Sequence, residues 1–156
     1  MRDISDLMSL KGKRALITGA VGGLGQEIAL TIAELGGDLL LVDLPNTDYT
    51  TVTQKVLDSC NVQVECVDCD LENEVERNSL ISKVNPDSKG LDILINNAAF
   101  VGTSGLEGWV TDFESQSVDT WRRAIEVNLT AVFHLSQGLA PLLKKSAGGS
   151  IINIAS

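Results

Sequence analysis

The chain has 156 residues, 44% hydrophobic and 21% charged, and its 21 acidic against 12 basic side chains leave a formal net charge of −9. That length supports one domain with a sizeable core, and the composition excludes a disordered, collagen-like or disulfide-scaffold chain. The acidic balance, with no basic stripe to override it, argues against nucleic-acid binding, and no run approaches the roughly 18 consecutive apolar residues of a membrane helix.

Short apolar runs alternate with longer helical patterns from one end to the other. Strands are expected at 14–18 (RALIT), 38–43 (DLLLVD), 62–68 (VQVECVD), 91–96 (LDILIN) and 150–155 (SIINIA). Runs such as LLLV and ILI, apolar nearly throughout, suit strands buried on both faces, as in a parallel sheet under helices. Helices are expected over 23–35, about 49–59, about 73–84, and 117–145, the first stopping at Gly36-Gly37. No repeat or linker divides the sequence. The alternation predicts one α/β domain over 1–156, a Rossmann-type doubly wound parallel sheet.

Along the last helix, Trp121, Ile125, Asn128, Val132, Leu135, Leu139 and Leu142 form a helical stripe, with a kink or early stop expected at Pro141. Asn128 is polar within that stripe. A buried amide must find partners or destabilise the fold by about 1–3 kcal/mol, and by spacing alone a core Asn bonding a neighbouring backbone group suffices.

Between the first strand and the first helix lies T-G-A-V-G-G-L-G, residues 18–25. A sharp turn wants a residue without Cβ at Gly19, close approach of a pyrophosphate wants Gly23, and close helix–strand packing wants Gly25. With Val21, Gly22 and Leu24 they make a candidate dinucleotide site, where the helix N-terminus offers N–H groups to phosphates. A tight βα connection would need a similar turn. Asp43 ends the second strand, where a carboxylate can accept from both adenosine ribose hydroxyls and repel a 2′-phosphate. No Arg or Lys lies within 18–25 or directly after Asp43, which favours NAD over NADP as the cofactor. A turn or helix-capping carboxylate is the other use for Asp43.

The spacing T-G-x-x-x-G-x-G resembles the short-chain dehydrogenase/reductase family, and four further segments agree in the same order. Asp70-Leu71 follows the third strand, like the family's acidic-aliphatic pair beside the adenine. Asn96-Asn97-Ala98-Ala99 is similar to its N-N-A-G, and Asn128 falls where the family carries a structural and catalytic Asn. G-S-I-I-N-I-A-S at 149–156 resembles the fifth strand, whose final residue, Ser156, would be the catalytic serine. The resemblance, over about 10–156, implies hydride transfer between NAD(H) and a small-molecule carbonyl or secondary alcohol. It also implies an Asn97 contact to the cofactor and a homo-oligomer. A nucleotide-sensing module without turnover is the alternative from another class.

Three departures stand out. Ala99 replaces the usual Gly. The stretch 100–116 is long for its connection, and Phe100, Trp109 and Phe113 could line a substrate entrance or simply pack a surface loop. The family's Tyr-x-x-x-Lys would lie beyond Ser156, and the single tyrosine, Tyr49, sits near the start of the second helix. The expectation is therefore an N-terminal portion of a longer enzyme, inactive by itself because the acid–base group is missing.

Weaker signals remain. The N-terminus lacks the apolar segment of a signal peptide, and Cys60, Cys66 and Cys69, an odd count, fit reduced thiols, so a cytoplasmic location is expected. Cys66 and Cys69 form a C-x-x-C, more readily read as small apolar residues at a strand end than as a redox or metal pair. No metal site is expected. His134, off the stripe, is expected to be solvated, and the acidic run Asp68, Asp70, Glu72, Glu74, Glu76 to complement a helix dipole.

Overall fold

The apolar runs become β1 (Arg14–Thr18), β2 (Asp38–Asp43), β3 (Val64–Asp68), β4 (Ile93–Asn96) and β5 (Ser150–Asn153). They are seen in a computed structural model that describes residues 7–84, 90–102, 104–146 and 148–155. Ser156 thus lies outside the described residues. The strands are parallel and lie in the order β3-β2-β1-β4-β5. That is the doubly wound arrangement expected, with the order reversing between β1 and β4.

Period-2 alternation assigns the two faces. Leu16 registers with Leu40 and Leu94, and these three share one core with Leu80, Leu135 and Leu139. Ile17, opposite Leu41 and Ile95, points to the other core, with Ala29, Ala33, Val52 and Val56. Helices α1 (Gly23–Glu34) and α2 (Thr50–Ser59) cover that second face. Helices α3 (Glu74–Val84) and α5 (Ala131–Lys145) cover the first. Ala29 and Ala33 are the buried side chains of α1 behind its first turn, small enough to bring the helix close to the sheet. The helix stops as expected, with Gly36 at φ +88° and its N–H donating to the Ala33 carbonyl.

Several boundaries move. β3 begins at Val64 rather than 62, β4 at Ile93 rather than 91, and β5 ends at Asn153 rather than 155. Pro141 does not stop α5, which runs on to Lys145. The proline lies on the exposed side while Leu139, Leu142 and Leu143 are buried, so packing holds the last turn despite one missing N–H.

The larger correction concerns the stripe. The expected single helix is α4 (Val118–Ile125), then a π-type turn (Glu126–Thr130), then α5. A π turn takes an extra residue, so the inward-facing set shifts upstream of it. Thr120, Ala124, Val127 and Ala131 are buried, whereas Trp121 is 57% and Ile125 38% exposed, and Asn128 is exposed. Leu135, Leu139 and Leu142 keep the expected orientation. Among the described residues no helix is long and apolar enough to cross a membrane.

Candidate functional site

At the carboxyl ends of β1 and β4, where the strand order reverses, the connecting segments leave a cleft of about 610 Å³. Gly19, Gly22, Gly23, Leu24, Gly25, Asp43, Asp70, Leu71, Asn97 and Asn128 all line it. Val21 packs against the adjoining core instead, and its N–H reaches the site through Asp43. Volume and position are those of a ligand crevice in an open α/β sheet.

The Gly-rich turn is shaped by its neighbours. Gly19 has φ +65°, and a Cβ there would lie 2.8 Å from the Ala98 Cα. At Gly25 a Cβ would meet the Gly19 carbonyl oxygen at 2.1 Å. Gly23 differs: apart from its chain neighbours and the backbone of its own helix, no described atom lies within 4 Å of where its Cβ would be. Packing gives no reason for glycine there, whereas a phosphate group lying on the backbone would. No side chain caps the start of α1 and no acidic residue occupies its first turn, which leaves its dipole free for an anion.

Asn97 holds the turn from behind. Its Nδ2 donates to the carbonyls of Thr18 and Gly19, both at 3.0 Å, and its N–H donates to Thr18 Oγ1 at 3.1 Å. Ala98 N–H donates to the same hydroxyl at 3.1 Å. Thr18 was not singled out by sequence reasoning, although its place just before Gly19 in the motif was a usable signal.

Asp43 closes the front. Its Oδ2 accepts from Val21 N–H and its Oδ1 from Leu44 N–H, each at 2.9 Å. The carboxylate therefore does act as a turn acceptor, yet each oxygen retains a lone-pair site for a ligand hydroxyl. No basic residue lines the cleft among the described residues.

On the opposite wall, Asp70 Oδ1 accepts from Glu72 N–H, while Glu76 Oε2 accepts from Asp70 N–H at 2.7 Å, tying the loop to the acidic first turn of α3. The Leu71 carbonyl accepts from Arg77, which is 2% exposed and was not anticipated. Arg77 also pairs with Glu126 at 2.6 Å, and its Nε donates to His134 Nδ1 at 3.1 Å. His134 is thus half-buried and engaged, contrary to the expectation of a solvated side chain, because the buried guanidinium needs an acceptor there.

Asn128 binds one peptide unit with both ends of its amide. Its Oδ1 accepts from Phe100 N–H at 2.8 Å and its Nδ2 donates to the Phe100 carbonyl at 3.0 Å. A backbone partner was expected, but burial was not found. Of the loop aromatics only Phe100 reaches the cleft, with the Arg123 guanidinium 5.6 Å from its ring centre. Trp109 packs on Trp121 at 6.4 Å and Phe113 is 83% exposed, so two of the three aromatics lie away from the cleft. Ile154 and Ala155, just after β5, also line the cleft. The cysteines are free thiols. Burial, reinforced by Glu76 and Asp70, pushes Cys69 up to about 12, which makes a poor nucleophile of it.

A family model described as short chain dehydrogenase matches residues 13–156. The 7alpha-hydroxysteroid dehydrogenase of Escherichia coli (strain K12) is 36% identical over 152 residues, 97% of this chain and 56% of that protein. Among solved structures, L-sorbose reductase from Gluconobacter frateurii, complexed with NADPH and L-sorbose, superposes with a TM-score of 0.83 at 28% identity. It covers 96% of this chain and 54% of its own. An NAD+-bound xylitol dehydrogenase gives 0.80 at 26% identity, over 94% of this chain and 54% of its own. The chain spans about half the length of the curated relatives it matches.

Proposed function

Since this chain belongs to the short-chain dehydrogenase family, we propose that it serves an oxidoreductase that exchanges hydride between NAD(H) and a carbonyl or secondary-alcohol carbon of a small molecule. The observation that carries the reading is the convergence of the Gly-rich turn, Asp43, Asp70, Leu71 and Asn97 on one cleft, with open space where Gly23 lacks a side chain. A bound nicotinamide would supply or accept the hydride.

The chain's own residues do the holding. The uncapped start of α1, with Gly22, Gly23 and Leu24, receives the pyrophosphate, and Asp43 accepts from the adenosine ribose hydroxyls. Asp70 and Leu71 flank the adenine. Asn97 fixes the turn, and Asn128 fixes Phe100 at the reacting end. Ser156, which follows Ala155 in the sequence, donates a hydrogen bond to the substrate oxygen and stabilises charge developing there. NAD is preferred over NADP because the carboxylate of Asp43 repels a 2′-phosphate and no cation lines the cleft among the described residues to offset it. The free thiols support a cytoplasmic location. The exposed row Val118, Trp121, Ile125, Leu129 and Phe133 supports self-association into a homo-oligomer.

Titration of the full-length natural protein with both cofactors, and turnover assays over hydroxysteroids, sugars, polyols and hydroxy acids, test the reading. NAD is expected to bind more tightly, and Asp43→Ala to weaken it about tenfold, the loss of one or two hydrogen bonds to a charged group, while NADP binding improves. Clear preference of the unaltered protein for NADP would overturn the NAD assignment, and absence of turnover on every class would overturn the enzyme.

A further inference from the structure

Asp43 is the last residue of β2, and beyond it the chain turns sharply, with Thr47 N–H donating to the Leu44 carbonyl and Asn46 at φ +65°. That turn brings Tyr49, at the head of α2, back onto the strand it has just left. The Tyr49 hydroxyl accepts from Asp43 N–H at 2.9 Å and donates to the Val67 carbonyl at 3.0 Å, joining the ends of β2 and β3. Its ring packs against the core beneath α1 and α2. Burial, with Asp68 and Asp43 nearby, pushes the phenol well above its ordinary value, so it stays protonated and keeps both roles. The Asp43 carboxylate is in turn tied to the Gly-rich turn through Val21 N–H. Nothing in the proposed function uses Tyr49.

We propose that Tyr49 is a positioning residue that sets cofactor specificity, by fixing the end of β2 so that the Asp43 carboxylate cannot swing away from the ribose site. The inference rests on the reading of Asp43 as the ribose acceptor. A carboxylate rejects a 2′-phosphate only while it stays put, because a mobile one turns aside at small cost and admits the larger anion. Tyr49→Phe removes both hydrogen bonds and keeps the ring, so the packing that folds this region survives.

The test is calorimetric titration of the full-length natural protein with NAD and NADP for the unaltered protein, Tyr49→Phe, Asp43→Ala and the double variant. Tyr49→Phe is expected to lower the NAD-to-NADP affinity ratio about three- to tenfold, and to change it little when Asp43 is already alanine. General loss of stability would leave that ratio unmoved. An unchanged ratio in Tyr49→Phe, or an equal shift in the Asp43→Ala background, overturns this inference and leaves the NAD reading standing. If the unaltered protein prefers NADP or binds neither, the NAD reading falls and takes this inference with it.

Discussion

Asn128 shows how much one side chain depends on having two different ends. Its carbonyl meets an N–H of Phe100 and its amino group meets the carbonyl of the same residue, so neither a pure acceptor nor a pure donor can replace it. Asn128→Asp keeps the shape, loses one hydrogen bond and sets a carboxylate oxygen against the Phe100 carbonyl. At an exposed position that is expected to cost about 1 kcal/mol. Urea unfolding compared with Asn128→Ala checks it: Asp should be no better than Ala, and a fully stable Asp variant would mean that the Phe100 bonds contribute nothing. The sequence marked Asn128 as polar in an apolar stripe, which was enough to single it out. It could not show the Phe100 partner, 28 positions away and reached only through the tertiary fold.

At the scale of elements, α3 is joined to the π-type turn by a buried charge. Arg77 is enclosed, whereas the Glu126 side chain is 34% exposed, so the two ends of the pair are not equivalent. Removing Glu126 strands a guanidinium in the core with His134 and the Leu71 carbonyl as its remaining partners. Removing Arg77 leaves a carboxylate that water can reach. Glu126→Ala is therefore expected to destabilise by about 3 kcal/mol and Arg77→Met, which refills the space with apolar volume, by about half as much. Chemical denaturation of both variants measures the asymmetry, and the reverse order would show that the guanidinium is hydrated. The helical period alone extends the inward stripe of α5 back through Ile125 and Trp121. An extra residue in one turn leaves no mark in a pattern of apolar spacings, and so the exposure of both residues was not legible.

Across the whole molecule, Asp92 ties the end of the sheet opposite the cleft. Its carboxylate accepts from Lys13 Nζ at 2.7 Å, from Arg14 N–H at 2.9 Å and from the Ser146 hydroxyl, while its backbone bonds Arg14 and Ser150. Burial alone would raise this carboxyl, but Lys13, Ser146 and the Arg14 N–H outweigh it and hold it below the usual carboxylate value. A group depressed in the folded state stabilises the fold above its unfolded value, near 3.9, and that contribution is lost as the pH falls through the folded value. Asp92→Asn is thus expected to be less stable than the unaltered protein by about 2 kcal/mol at neutral pH, with the gap closing below about pH 4. Urea midpoints from pH 7 down to pH 2 read this out, and a gap that stays constant with pH would rule out the carboxylate as its source.

Burial on both faces, turn chemistry and strand–helix alternation are local properties of the chain. From them the sequence by itself determined five strands, their parallel doubly wound arrangement, and a Gly-rich turn and Asp43 together at the carboxyl ends. Gly19 has the positive φ that a sharp turn asks for, while at Gly25 the atoms that exclude a side chain belong to the turn, Gly19 and Ala20, and not to the strand. Only the tertiary structure decided which residues those features lean on. Tyr49 reaching Val67, Arg77 reaching Glu126 and His134, and Thr18 serving Asn97 and Ala98 are hydrogen bonds between side chains and groups far along the chain. Such bonds have no period, since their geometry exists only after the sheet has brought its strands together.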